Sequence, residues 1–125
     1  MIKFTLYDLP PSLNEWQNLH HMKKARLKKQ VEHDVHYATY NKRPPQPYEK
    51  ASVKITIYFP TNRRRDERNY DCKWLIDGLV TAKLIKDDNT KVIGRPEIVM
   101  AYDPKNPRVE VQITELTPEV FAEWD

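Results

Sequence analysis

Between Arg63 and Asn89 the chain reads RRRDERNYDCKWLIDGLVTAKLIKDDN, its densest arginine block with carboxylates at either end. Metal-assisted cleavage of a phosphodiester needs carboxylates around a divalent cation, because hard ions such as magnesium take oxygen ligands. Asp66, ahead of an apolar run, and Asp87-Asp88, just after it, are candidates by position. Lys73 lies between them and is a candidate for orienting the nucleophile or offsetting charge on the phosphorus. Arg63, Arg64 and Arg65 directly precede Asp66, so they would set phosphate-gripping guanidiniums beside such an ion, each contact releasing counterions. The plainer alternative is that an acid before a helix favours its dipole, Asp-Asp-Asn is a turn, and the arginines are a solvated loop.

The element expected to position these groups is a helix from about Asn69 to Lys83. It would carry Asp66, Asn69, Lys73 and Asp77 at i, i+3, i+7 and i+11, spacings that share one face. The polar turn Lys86-Asp87-Asp88-Asn89 ends it, and the chain must then fold back for the acids to meet. Trp74, Leu75, Ile76, Leu79, Val80 and Leu84 spread around much of this helix, which predicts deep burial in a core or against a partner. Cys72 sits among Tyr70, Trp74 and Ile76, where packing is the expected role and a nucleophile the alternative. As the chain's single cysteine it cannot close an internal disulfide, so a reducing, cytoplasmic setting is expected.

Elsewhere, Ile2 to Leu6 alternates as a half-buried strand, and Leu9-Pro10-Pro11-Ser12-Leu13-Asn14 breaks it into a rigid loop. A basic helix from about Trp16 or Leu19 to Tyr40 follows, ended by Asn41 to Pro47. Ala51 to Phe59 is the clearest strand, with Val53, Ile55, Ile57 and Phe59 on one face. Lys91 to Gly94 reads as a short strand or its lead-in. Ile98 to Tyr102 and Arg108 to Leu116, joined by Asp103 to Pro107, read as a hairpin. Thr117-Pro118-Glu119 would cap a short C-terminal helix. The order β-α-β-α-β-β predicts an α+β fold, two helices packed on a small mixed or antiparallel sheet, in one domain of 125 residues.

Composition narrows the function classes. Hydrophobic residues are 39% and charged residues 31%, no apolar run is long enough to span a membrane, and the N-terminus has no secretory pattern. With only two glycines, Gly78 and Gly94, no glycine-rich phosphate loop exists, which argues against a nucleotide cofactor. The net charge is only +3, but Lys23, Lys24, Arg26, Lys28 and Lys29 crowd one segment and Arg63 to Arg65 another, while acids dominate from Glu97 onward. Such a chain binds a phosphate backbone locally without being basic overall. His33 and His36 are i, i+3 on a helix, yet no Cys or His pair elsewhere completes a zinc site. His20 and His21 lie near the basic segment and are candidate DNA contacts.

Taken in order, these residues resemble the RusA family of Holliday junction resolvases, small phage and prophage endonucleases. Pro10-Pro11-Ser12-Leu13-Asn14 is similar to the family's N-terminal loop. Arg63-Arg64-Arg65-Asp66 resembles its basic run leading into the first essential aspartate, and Lys73, Asp77, Gly78 and Leu79 resemble its active-site helix. Asp87-Asp88 looks like its paired acids and Val109 to Glu115 its closing strand. The resemblance covers most of the chain. It implies a magnesium-dependent homodimer, with manganese a substitute, that resolves four-way or other branched DNA by paired nicks. In that reading Asp66, Asp87, Asp88 and Asn69 hold the metal, Lys73 assists, and Arg63, Arg64, Arg65, Lys23, Lys24 and Asn14 contact DNA. One departure stands out: where the family has Asp-x-Asp-Asn, this chain has Asp66-Glu67-Arg68-Asn69. Asn69 is favoured for the missing aspartate because helical spacing puts it on the face of Asp66. Asp71, turned about 140° away on a helix, and Glu67 are the reserves. A non-catalytic DNA-binding module is the alternative, and a protein-interaction domain with merely solvating charges a third.

Overall fold

A computed structural model describes residues 1–116. The expected C-terminal helix at Thr117-Pro118-Glu119 lies outside the described residues. Strand β1 (Ile2–Leu6) is followed by α1 (Leu13–Gln17), α2 (His21–Thr39) and β2 (Ala51–Phe59). A 3₁₀ turn (Glu67–Asn69), α3 (Lys73–Thr81), α4 (Thr90–Ile93), β3 (Glu97–Tyr102) and β4 (Arg108–Glu115) complete the order. The fold is α+β, with four α-helices and one mixed four-stranded sheet among the described residues.

Strands run β1-β4-β2-β3 across the sheet. β4 is antiparallel to β1, pairing Phe4 with Val111, and antiparallel to β2, pairing Ile55 with Val111. β3 runs parallel to β2, with Ile57 opposite Met100. The expected β3–β4 hairpin is therefore incorrect. A parallel neighbour needs a long crossover, which α3 and α4 supply, and the turn after β3 then carries the chain past β2 to β4. The alternation in the three strands does turn one face inward: Phe4, Val53, Ile55, Ile57, Val111 and Ile113 are all buried.

The helices depart from expectation in three places. The long basic helix is two: Asn18 caps the end of α1, and the His20 side chain accepts from Met22 N–H at 3.3 Å to start α2. The central helix begins at Lys73 rather than Asn69, because Cys72 takes a left-handed conformation (φ 55°) and interrupts the helical hydrogen-bond run. Lys91 to Gly94 is α4 and not a strand; Asn89 Oδ1 accepts from Lys91 and Val92 N–H and nucleates a turn there.

α3 closes with a Schellman arrangement, Leu84 N–H to Leu79 O and Lys83 N–H to Val80 O, with Lys83 left-handed at φ 62°. Leu79 and Leu84 are both fully buried at this corner. α2 and α3 pack at Gly78, where a Cβ would meet Val35 Cγ2 at 3.5 Å. The apolar residues around α3 are thus absorbed by the protein's own core, Trp74, Leu75, Ile76 and Leu79 all being buried. Among the described residues no helix is long and apolar enough to cross a membrane.

Candidate acidic site and its surroundings

The 3₁₀ turn and the loop before it fix Asp66. Its Oδ1 accepts from Arg68 N–H at 3.0 Å, capping the turn, and both carboxylate oxygens face the Arg68 guanidinium at 3.3 Å. These bonds to Arg68, first of all that of the side chain, hold the Asp66 carboxyl below its ordinary range. Asp66 shares a hollow with Arg64, Arg65, Glu67 and Arg68, whereas Asp87 lines another with Lys86, Asn89 and Lys91. The expectation that Asp66, Asn69, Lys73 and Asp77 share one helical face fails, since only Lys73 and Asp77 lie on α3.

What does converge is Lys73, Asp77 and Asp88. Lys73 opens α3, and Asp77 stands one turn further on the same face. The chain then turns through the Leu84 corner, and a parallel bridge of Tyr48 with Ile85 holds the returning segment. That return brings Asp88 Oδ2 to 3.6 Å from Lys73 Nζ, while Asp77 Oδ1 lies 3.9 Å from the same nitrogen. Asp87 acts locally: its Oδ1 accepts from Asp88 N–H at 2.7 Å and its Oδ2 from Asn89 Nδ2 at 3.1 Å.

The two acids of the pair titrate in opposite directions. Partial burial, then the hydrogen bond with Asp88 and its negative charge, push Asp77 up against the pull of Lys73. Burial acts most strongly on Asp88 too. There the hydrogen bond of Asp87, the charge of Lys73 and the hydrogen bond from Asp77 together outweigh it, so its carboxyl falls.

Asn69, the favoured substitute for the family's second aspartate, has its Oδ1 engaged by Asn14 N–H at 3.2 Å. That bond ties the proline loop to the 3₁₀ turn. Asp71, the reserve, accepts from Lys73 N–H at 3.2 Å and so starts α3. Arg65 is also drawn inward. Its guanidinium lies 3.9 Å from the Phe59 ring centre and donates to Thr61 O, Thr61 Oγ1 and Arg63 O, leaving Arg63 and Arg64 exposed. Lys23 and Lys24 stand in the first turn of α2. Cys72 is 1% exposed, and burial pushes its thiol up to about 12, which excludes a thiolate nucleophile at neutral pH.

No protein-family model matches the chain, and a search of curated proteins finds no match. Its chemistry is therefore read from the site. Among the described residues no group of three or more His, Cys, Asp or Glu side chains is placed to hold a metal ion. Two acidic oxygen donors do meet at Asp77 and Asp88, and magnesium commonly takes one or two carboxylates and fills its shell with water and substrate phosphate. The donor pair fits such an ion. Asp77 is the member of this pair missing from the expected ligands, although its i, i+4 spacing from Lys73 marked it in the sequence. Lys28 of α2 is the other, its charge reaching Asp77; only the fold brings it there.

Proposed function

We propose that this protein is a magnesium-dependent endodeoxyribonuclease of the RusA kind, acting on branched DNA, with Lys73, Asp77 and Asp88 at its centre. The observation that carries the reading is the meeting of Lys73 with Asp77 and Asp88 across a return of the chain. Exposed Arg63 and Arg64 precede the neighbouring 3₁₀ turn and suit a phosphate backbone. Asp77 and Asp88 are the residues that would hold the ion. Bound there, magnesium supplies Lewis-acid polarisation of the phosphoryl oxygens. Lys73 offsets charge gathering on the phosphate. Asp88 is placed to accept the proton of a water whose oxygen bonds to phosphorus as the phosphorus–oxygen bond to the leaving strand breaks.

Asp88→Asn tests this: a labelled four-way junction should still bind while nicking in magnesium disappears. Full nicking by that variant would remove the site. Magnesium binding to the wild type, followed by calorimetry, should be lost in Asp77→Asn/Asp88→Asn, and unchanged binding would count against the ligand pair. A second reading, a non-catalytic DNA-binding module of the same fold, is favoured by one observation, the pairing of Asp66 with Arg68 apart from the acid pair. Junction binding with no nicking by the wild type, with or without magnesium, would establish it. A two-fold symmetric junction suits a homodimer carrying two identical centres, which sedimentation of the wild type would test.

A further inference from the structure

α2 carries a dense lysine run, and two of its members are held differently from a freely solvated charge. Lys24 Nζ lies 5.8 Å and Lys28 Nζ 5.9 Å from the centre of the Trp16 ring. Four residues apart on a helix, they stand one above the other, with Cβ atoms about 5–6 Å apart. Neither ammonium has an ion-pair partner among the described residues. The negative face of an indole attracts a cation, which restrains a flexible stem while leaving its donors open to a ligand.

Trp16 is itself anchored. It stacks on Trp74 with centroids 4.9 Å apart and planes 8° from parallel. Trp74 adjoins Lys73 in α3 and is 6% exposed. α1, which carries Trp16, is fixed by a capping box: Ser12 Oγ accepts from Glu15 N–H, and Glu15 Oε1 accepts from Ser12 N–H. The bond from Asn14 N–H to Asn69 ties the same helix to the 3₁₀ turn. Lys24 and Lys28 are thereby referenced to the first turn of α3, where the acid pair begins. Asp77, pushed up by burial and drawn down by Lys73, also feels the charge of Lys28.

We infer that Lys24 and Lys28, held over the Trp16–Trp74 stack, form a backbone grip that takes successive phosphates of one DNA strand and leads it to Lys73, Asp77 and Asp88. Where the strand leads rests on the nuclease reading; the grip itself does not.

The test is the salt dependence of binding, by fluorescence anisotropy of a labelled four-way junction and a labelled single strand in EDTA. For every phosphate left without its lysine, the slope of log affinity against log salt becomes shallower by about 0.7–0.9. Lys24→Gln/Lys28→Gln should therefore flatten the slope by about 1.4–1.8, while the charge-matched control Lys54→Gln/Lys105→Gln leaves it unchanged. Trp16→Leu keeps both charges and should weaken binding several-fold. An unchanged slope in Lys24→Gln/Lys28→Gln, an equal fall in the control, or wild-type affinity in Trp16→Leu overturns the grip. Wild type that binds with the lysine-dependent slope yet nicks nothing defeats the nuclease reading and leaves the grip standing. Nicking with a slope indifferent to the two lysines does the reverse.

Discussion

Gly78 sets the distance between α2 and α3, and Gly78→Ala should make the protein more stable. A Cβ there would lie 3.5 Å from Val35 Cγ2, 3.8 Å from Val31 Cγ1 and 3.9 Å from Glu32 Cα, all ordinary van der Waals contacts. No neighbour has to move. Replacing a mid-helix glycine by alanine gains about 0.8–1.0 kcal/mol of helix propensity. Burying the new methyl adds up to about 0.8 kcal/mol, reduced by whatever crowding Val35 suffers. A net gain of about 1 kcal/mol is expected, raising the melting midpoint by roughly 3–6 °C for a domain of this size. Urea unfolding followed by tryptophan fluorescence should show a higher midpoint with the same slope. Gly78→Leu is the counterpart: its further carbons would enter space that Val31 and Val35 already fill, for a loss of about 1–3 kcal/mol. A midpoint for Gly78→Ala below that of the wild type would refute the reasoning, since the helices would then pack more tightly than a 3.5 Å contact allows.

Gly94 ends α4 at φ 60°, ψ −138°, a conformation essentially reserved for glycine, so Gly94→Ala should lose about 1–3 kcal/mol; an unchanged melt would contradict this. Lys83 adopts φ 62° at the end of α3, and Lys83→Gly should gain about 0.5–1 kcal/mol in the same urea assay as the left-handed strain is relieved. Asp103 is held below its ordinary value of 3.8, chiefly by the hydrogen bond from Arg108 at 2.8 Å. A carboxyl lowered on folding stabilises fully above its unfolded value, and that contribution disappears as pH falls through the folded one. Asp103→Asn should therefore flatten the loss of stability below about pH 4, and an acid limb as steep as that of the wild type would show the pair contributes nothing.

Strand positions were legible because alternation is a local signal. Ala51 to Phe59 has the same bounds in sequence and structure, with Val53, Ile55 and Ile57 buried as the pattern requires. Pairing was not legible. Periodicity says which face a strand buries and nothing of its neighbour, so two adjacent strands joined by a short turn read as a hairpin although β4 lies between β1 and β2. The start of the central helix was hidden for a related reason. Asn69 to Cys72 carries no proline or glycine break, yet the left-handed Cys72 interrupts it. Of the site, Lys73 and Asp88 could be named from residue types and order. Their meeting could not be derived from helical spacing, because it depends on the Leu84 corner turning the chain back. The same limit hid Lys28, whose place near Asp77 is a product of two helices packing at a glycine.

The parallel pairing of β2 with β3 has a consequence for how the protein could be divided. Lys73, Asp77 and Asp88 all lie on the single crossover between those two strands, so the acidic centre travels as one covalent unit. A chain interrupted in the loop at 41–47 would leave that unit whole in the second piece, while Trp16, Lys24 and Lys28 stay in the first. Re-association of the halves would then rebuild the phosphate grip beside a centre that never came apart.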